Sequence, residues 1–343
     1  MAKSIKCEYC GGNKLFNPST SNIECEHCGS VSVVEIKSSG SVLTRKYTRD
    51  YMPEIRQVGE NHYLCSSCGA SVAFEENEDK KRCPSCGDTT LSRKNNEIYV
   101  PDAIIPFSVN RNKAIEIFRS WLAKRKFAPN DLKQMAALGK VSGLYVPAWN
   151  MNFRLVGKYF ANVNKLEEEM DDRTVTWHYP VKDTVDKRFL NVILSGNQRI
   201  DDEILQDLSP FETQKLRPYS SEYLFGFSGL DTDDYLHEKF DSIIEEKKET
   251  ITFRIREDLK SKFDTIESFN INYNVENPTF NYLYVPIWAN HYTYNGKKYH
   301  CFINGQTGKA IGNSPKSFWK IMSLILGIGA GIGALIGILM SIF

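Results

Sequence analysis

Apolar and polar positions follow two different periods in the middle of the chain. In the stretch that ends at Pro129, apolar residues recur every three or four positions, which is the period of an amphipathic helix. They are Ala114, Ile117, Phe118, Trp121 and Leu122. A longer helical pattern begins near Asp231, whereas 192–194 and 292–294 have the β-branched and aromatic composition of strands. We therefore predict a mixed α+β domain over residues 98–312.

The outer face of the first helix is basic. Against one acidic residue, Glu116, it carries the cations Arg111, Lys113, Arg119, Lys124, Arg125 and Lys126. This pattern is compatible with the solvated face of a core helix, or with a surface that lies on an anionic lipid bilayer.

A hexapeptide occurs twice in this domain. Leu-Tyr-Val-Pro-Ala-Trp at 144–149 returns as Leu-Tyr-Val-Pro-Ile-Trp at 283–288, and at the same offset Gly157 corresponds to Gly296. We interpret the two stretches as copies of one β unit that pack together in one domain; chance similarity of two β-rich stretches is the alternative. A proline within such a strand favours an edge position or a bulge.

The last 23 residues of the sequence, 321–343, contain no charge. As a helix they would extend about 34 Å, which exceeds the roughly 30 Å of a bilayer core. Lys309, Lys316 and Lys320 precede the segment, and positive charge marks the cytoplasmic side. The pattern predicts one C-terminal transmembrane helix in the cell membrane, single-pass, with the N-terminal domains cytoplasmic.

Glycines in this segment form pairs four residues apart, at 327/331, 329/333 and 333/337. Such small-xxx-small pairs let membrane helices approach closely. We expect either simple anchoring or a helix–helix oligomer through Gly327, Gly331, Gly333 and Gly337.

Eight of the nine cysteines form four Cys-x-x-Cys pairs, and the ninth is Cys301. Both clusters have a gap of 14 residues between their pairs, and every pair is followed by glycine. Four thiolates close a tetrahedron around zinc, and a 14-residue gap fits a β-hairpin that brings the second pair back to the first. No apolar run precedes Cys7, so we expect no export signal and interpret the paired cysteines as metal ligands rather than disulfides. We predict two zinc ions, Zn(2+), bound by Cys7, Cys10, Cys25 and Cys28 and by Cys65, Cys68, Cys83 and Cys86.

A metal site closed by four cysteines is structural, because no coordination position stays open for substrate. Iron in the same ligand set is the alternative. Thioredoxin-type redox chemistry is disfavoured, because it uses a single pair at the start of a helix. The sequence also lacks a Walker loop, a His-Glu-x-x-His motif and a Gly-x-Ser-x-Gly motif. We expect no catalytic residue, no organic cofactor and no enzyme activity.

Charge argues against nucleic acid as the partner. Residues 1–100 hold 13 Lys+Arg and 13 Asp+Glu. Two zinc ions with eight thiolates bring this region to about −4, whereas affinity for nucleic acid depends on neutralising phosphate with cations.

The chain divides into five regions. They are zinc ribbon 1 (1–37), a linker (38–61), zinc ribbon 2 (62–97), the mixed α+β cytoplasmic domain (98–312) and the transmembrane helix (321–343). The predicted fold class is α+β: two N-terminal β zinc ribbons, a mixed domain with a duplicated β unit, and one C-terminal transmembrane helix.

The Cys-x-x-Cys-Gly ribbons, the Pro106-Phe107 step before the helix, the 145–149 box and the C-terminal segment resemble the bacterial TFIIB-type zinc-ribbon membrane proteins (YdjG-like). The resemblance covers most of the chain and implies a link to membrane stress response through PspA-type or flotillin-like (SPFH) proteins. It implies a membrane-anchored adaptor or scaffold that holds partner proteins at the cytoplasmic face. The alternative is a membrane-tethered, nucleic-acid-binding protein of replication.

Overall fold

The protein is predominantly β. Its computed structural model describes residues 5–34, 42, 44–57, 62–66, 70–73, 83, 88–93, 97–135, 141–169, 173–233 and 235–342. The strands are β1 (Ile5–Lys6), β2 (Asn13–Asn17), β3 (Asn22–Cys25), β4 (Val31–Ser32), β5 (Arg45–Lys46), β6 (Ile55–Gln57), β7 (His62–Cys65), β8 (Ala70–Ala73), β9 (Leu91–Arg93), β10 (Glu97–Tyr99), β11 (Ala103–Ile104), β12 (Val141–Glu169), β13 (Arg173–Ser195), β14 (Arg217–Pro218), β15 (Ser228–Leu230), β16 (Thr265–Tyr294), β17 (Lys297–Asn304) and β18 (Ala310–Gly312). The helices are α1 (Arg111–Ala123), α2 (Asn130–Met135), α3 (Asp202–Leu208), α4 (Leu236–Lys262) and α5 (Phe318–Ile342).

The predicted α+β fold class is therefore wrong. Helices α1 and α4 do form where the apolar period predicts them, and the Asn110 side chain accepts a hydrogen bond from Lys113 N at the start of α1. The segments between the helices, however, include single strands of 29, 23 and 30 residues. Such long strands pass from a buried sheet to an exposed one, so no single alternation of apolar and polar residues marks them.

Strands β12 and β16 form the centre of the main sheet. They pair antiparallel from Val141↔Asn290 to Asn164↔Thr265. β13 pairs with β12 on its other side, and β17 pairs with β16. The distal part of three strands (153–169, 173–189 and 265–276) projects from the body with α4 along one face, and we call these residues together with α4 the arm.

The two copies of the repeated hexapeptide pair with each other. Val146 lies opposite Val285, Tyr145 opposite Pro286, and Pro147 opposite Tyr284. A local two-fold axis therefore passes through the two valines. The prediction that the copies pack in one domain is confirmed by this register.

The repeated prolines occupy the same position in both copies. Each lies where its strand changes its outer neighbour: β12 passes from β15 to β13 at Pro147, and β16 passes from β11 to β17 at Pro286. Gly196 N donates to Pro147 O at 2.8 Å, and Gly305 N donates to Pro286 O at 2.9 Å. A missing N–H is tolerated there because the ladder is changing partner, so the prolines need no edge strand.

The described part of the predicted linker packs on the main sheet. The Arg45 guanidinium pairs with the Asp102 carboxylate at 2.7 Å, and β5 pairs with β16. The Tyr47 ring stacks on Phe240 of α4 with centroids 3.9 Å apart. Residues 44–57 therefore form a strap across the base of the arm.

The predicted transmembrane helix is wrong. In the stretches that the structure describes, no helix has both the length and the apolar content needed to cross a membrane. A crossing takes about 20 consecutive, mainly apolar residues in one helix, whereas the side chains of α5 are described only at 318–329, 331 and 332. The predicted single-pass localisation in the cell membrane depended on this segment and is wrong for the same reason.

Helix α5 begins against the body. Ser317 N donates to Phe127 O at 2.7 Å, and the Lys320 ammonium donates to Ala128 O at 2.6 Å. An added Cβ at Gly327 or Gly331 would meet no atom of the described chain within 4 Å. The surroundings of Gly333 and Gly337 are not described, so the helix–helix oligomer stays a prediction.

Candidate metal centre

The first four cysteines lie at the open end of one hairpin, where its first strand begins and its second strand ends. Strands β2 and β3 pair antiparallel, from Lys14↔Cys25 to Asn17↔Asn22. Cys7 and Cys10 precede β2, Cys25 ends β3, and Cys28 follows in the next turn. The hairpin therefore brings the two Cys-x-x-Cys pairs to the same end, as the 14-residue gap predicts.

The sulfur positions fit a tetrahedral metal ion. All four Sγ atoms of Cys7, Cys10, Cys25 and Cys28 lie within 4.8 Å of one another. The Cys7–Cys28 and Cys10–Cys25 sulfur pairs are 3.6 and 3.5 Å apart. Four thiolates at about 2.3 Å from a zinc ion would stand about 3.8 Å apart. The cluster can hold one metal ion without a rearrangement of the backbone.

Both cysteine pairs lie in turns of the same construction. Cys7 N donates to Gly12 O at 2.7 Å, and Cys25 N donates to Ser30 O at 3.0 Å, five residues further on in each case. Gly11 and Gly29, which follow the pairs, both have φ of 70°. Glycine adopts this left-handed conformation without steric strain because it has no Cβ, whereas other residues are strained there. This explains the Cys-x-x-Cys-Gly pattern.

Ser30 and Gly12 complete the site, although neither is predicted from the sequence. The Ser30 hydroxyl lies 3.2 Å from the Cys7 sulfur, and its hydrogen bond is the largest cause that lowers the pKa of Cys7, to about 6, and of Cys28. Within the same cluster the neighbouring thiols and desolvation raise the pKa of Cys10 to about 12. The thiolate is the form that binds metal. A Cβ on Gly12 would stand 3.2 and 3.3 Å from the sulfur atoms of Cys25 and Cys10. A signal existed in the sequence, since both residues follow a Cys-x-x-Cys-Gly turn directly.

The first ribbon is docked on the body through its hairpin. Phe16 N donates to Phe225 O at 3.0 Å, and the Phe16 ring meets Tyr223 edge-on with centroids 5.2 Å apart. Leu15 packs over Gly226, where a Cβ would come within 2.9 Å of its side chain. Nothing in the sequence marks 223–227 as the partner of the ribbon, because the two segments are about 200 residues apart.

The second cysteine set is described in part. Cys65 and Cys83 are both buried, and they belong to the same apolar cluster, whereas Cys68 and Cys86 lie outside the described residues. Cys83 N donates to Asp88 O at 2.8 Å, which repeats the five-residue turn of the first site. Strand β8 of this hairpin pairs with β15, directly after 223–227. Both ribbons therefore dock on one continuous segment, 223–230.

Cys301 is separate from both sets. It is buried in β17, and burial raises the pKa of its thiol to about 12. A protonated thiol among apolar neighbours is a core residue.

Comparison with known proteins identifies a relative. The chain is similar to YdjG, an uncharacterized protein of Bacillus subtilis (strain 168): they are 26% identical over 338 residues, which is 96% of this chain and 94% of the relative. No family model matches the sequence, and no solved structure matches it significantly. The chain is thus related to YdjG along nearly its whole length. These comparisons do not confirm the narrower assignment to TFIIB-type zinc-ribbon membrane proteins.

Cobalt(II) substitution tests the first site. With four sulfur ligands, Co(II) gives strong thiolate-to-metal charge transfer in the near ultraviolet and tetrahedral bands in the visible. We expect Cys10→Ser to lose the contribution of this site, since one ligand of four is removed. The Cys301→Ala protein serves as control and should give the wild-type spectrum. An unchanged spectrum for Cys10→Ser would show that the cluster does not bind the metal.

Proposed function

We propose that the protein is a zinc-dependent adaptor, in which two structural zinc ions hold the ribbons on a β body that presents docking surfaces to partner proteins. The observation that carries the proposal is the closed set of four cysteine sulfur atoms at Cys7, Cys10, Cys25 and Cys28. Because the protein supplies every ligand, an ion there stabilises the hairpin rather than activating a substrate.

The first ribbon needs such an ion. Its described part is only 30 residues long, from 5 to 34, and its buried apolar side chains other than cysteine are Phe16, Ile23 and Val34. Domains below about 40 residues are usually stabilised by metals, disulfides or a partner. Zinc binding by such hairpins contributes directly to the free energy of folding.

The second zinc ion is supported by the likeness of the turns. Cys83 N donates to the backbone oxygen of Asp88, five residues further on, and Cys7 N and Cys25 N donate to backbone oxygens at the same spacing. The Arg199 guanidinium donates to Ser66 O at 3.0 Å and fixes the turn that follows Cys65. The ligand set proposed for this ion is Cys65, Cys68, Cys83 and Cys86.

Zinc counting tests the two-ion proposal. We expect about two zinc ions per chain in the purified full-length protein and about one in either Cys10→Ser or Cys68→Ser, because each variant breaks one closed set. Inductively coupled plasma mass spectrometry gives the count, with Cys301→Ala as control. One ion per chain in the wild type, unchanged by Cys68→Ser, would contradict a second site.

The adaptor proposal rests further on where the ribbons attach. Both dock on the segment 223–230, whose end, β15, pairs with β12 of the central sheet. The zinc ions thereby position both ribbons on a rigid body, which suits a scaffold better than a flexible tether. The resemblance stated above makes PspA-type or flotillin-like (SPFH) proteins the first partners to test.

Cross-linking in cells tests the adaptor proposal. We expect the tagged full-length protein and Cys301→Ala to retain PspA-type or flotillin-like proteins, and Cys10→Ser to retain at least fivefold less, because its first ribbon is no longer held by metal. The readout is quantitative mass spectrometry after affinity purification. Recovery of nuclease-sensitive DNA or RNA complexes in place of proteins would overturn the adaptor and favour a nucleic-acid function.

A further inference from the structure

Helix α4 covers only part of one face of the three-stranded sheet in the arm. It packs against β16 and β12. Two of its contacts reach β16. The hydroxyl of Thr252 lies 3.1 Å from the hydroxyl of Tyr273. The guanidinium of Arg256 lies 4.7 Å from the centre of the Phe269 ring. A three-stranded sheet spans more width than one helix, so α4 leaves a strip of the sheet uncovered on each side, and the larger strip lies along β13.

An open groove of about 810 Å³ lies over this uncovered strip, between α4 and β13. One wall is β13 from Asp183 to Phe189, and the other is α4 from Lys247 to Asp258. The floor is apolar and is made by Tyr159, Val185, Ile251 and Ile255. Seven strand residues extend about 20 Å and twelve helical residues about 17 Å, so the groove has the length of roughly three helical turns.

The rim of the groove has uncompensated positive charge. Two of its three carboxylates are engaged: Asp258 pairs with Lys262 at 2.7 Å, and Asp186 receives two hydrogen bonds from Arg154. The third, Asp183, accepts a hydrogen bond from Thr184 N and forms no ion pair within the described ranges. Three cations of the lining, Lys187, Arg188 and Arg254, also form no ion pair with any described residue. The groove therefore combines an apolar floor with three available cations against one available carboxylate.

We propose that this groove binds an amphipathic helix with an acidic polar side, contributed by a partner protein. Its apolar side would cover Val185, Ile251 and Ile255, and its carboxylates would pair with Lys187 and Arg254. Length and shape fit one helix of about three turns laid beside α4, the helix-in-groove form of recognition. The inference rests on the proposed adaptor function and names one docking surface for it, separate from the ribbons.

Synthetic peptides test the groove with the full-length, zinc-loaded protein. The probe is a fluorescein-labelled 14-residue peptide with leucines at positions i, i+3, i+4 and i+7 and glutamates between them; a second probe has lysines in place of the glutamates. By fluorescence anisotropy we expect the glutamate peptide to bind at least tenfold more tightly. Equal binding of the two probes, or none, would overturn the proposal.

Two sets of variants locate the binding. Lys187→Glu with Arg254→Glu should weaken binding of the glutamate peptide at least tenfold, and Thr250→Trp should block it by filling the groove from an exposed position. The matched control is Lys113→Glu with Lys260→Glu, which changes the net charge equally at surface ion pairs outside the groove. Equal loss in the control pair would show nonspecific attraction and contradict the assignment.

A proline variant of the peptide distinguishes a helix from a strand added to the edge of β13. Proline at its centre breaks a helix, so we expect binding to be lost; retained binding would contradict a helical occupant. The peptide assay needs no cellular partner, and cross-linking in cells needs no peptide. Failure of the groove would leave the cross-linked partners intact, whereas failure of the adaptor would leave peptide binding unchanged.

Discussion

The pairing of the two Leu-Tyr-Val-Pro strands is the constraint on which the other elements depend. Val146 and Val285 lie opposite each other near one end of the longest ladder in the described chain, and both are fully buried. On either side of this pair, each strand passes from a short parallel neighbour to a long antiparallel one at its proline. The register at this point therefore fixes where the arm begins and where β15 lies.

The position of β15 in turn determines where the ribbons attach. Its residues continue the segment 223–230, which receives Phe16 of the first ribbon and β8 of the second. A metal ion held by Cys7, Cys10, Cys25 and Cys28 would thus be coupled to the central sheet through the contact with 223–227. The hydrogen bond from Asn110 Nδ2 to Ser19 Oγ, at 3.0 Å, adds a second contact between the ribbon and the body. A hairpin this small depends on its metal as well as on such contacts.

The sequence predicted the local features and missed the distant ones. Cys-x-x-Cys-Gly spacing predicted the four cysteines that the structure brings together in the first cluster, because each turn that supplies two of them is built within six residues. The repeated hexapeptide predicted two packed β units, and its register confirms them. Three features could not be predicted, because they depend on pairing between residues far apart in the sequence. They are the uncovered side of β13, the docking segment at 223–227 and the predominance of strand. Apolar composition at 321–343 led to a membrane helix, which the described structure does not contain.

Metal in the first site is proposed to hold the ribbon on the body. Hydrogen–deuterium exchange of the full-length protein, with zinc and after chelation, measures this coupling. We expect loss of protection across 5–34 and at 223–227 on chelation, with amides of 144–149 and 283–288 unchanged. Protection of 5–34 that survives removal of zinc would show that the metal does not hold the ribbon.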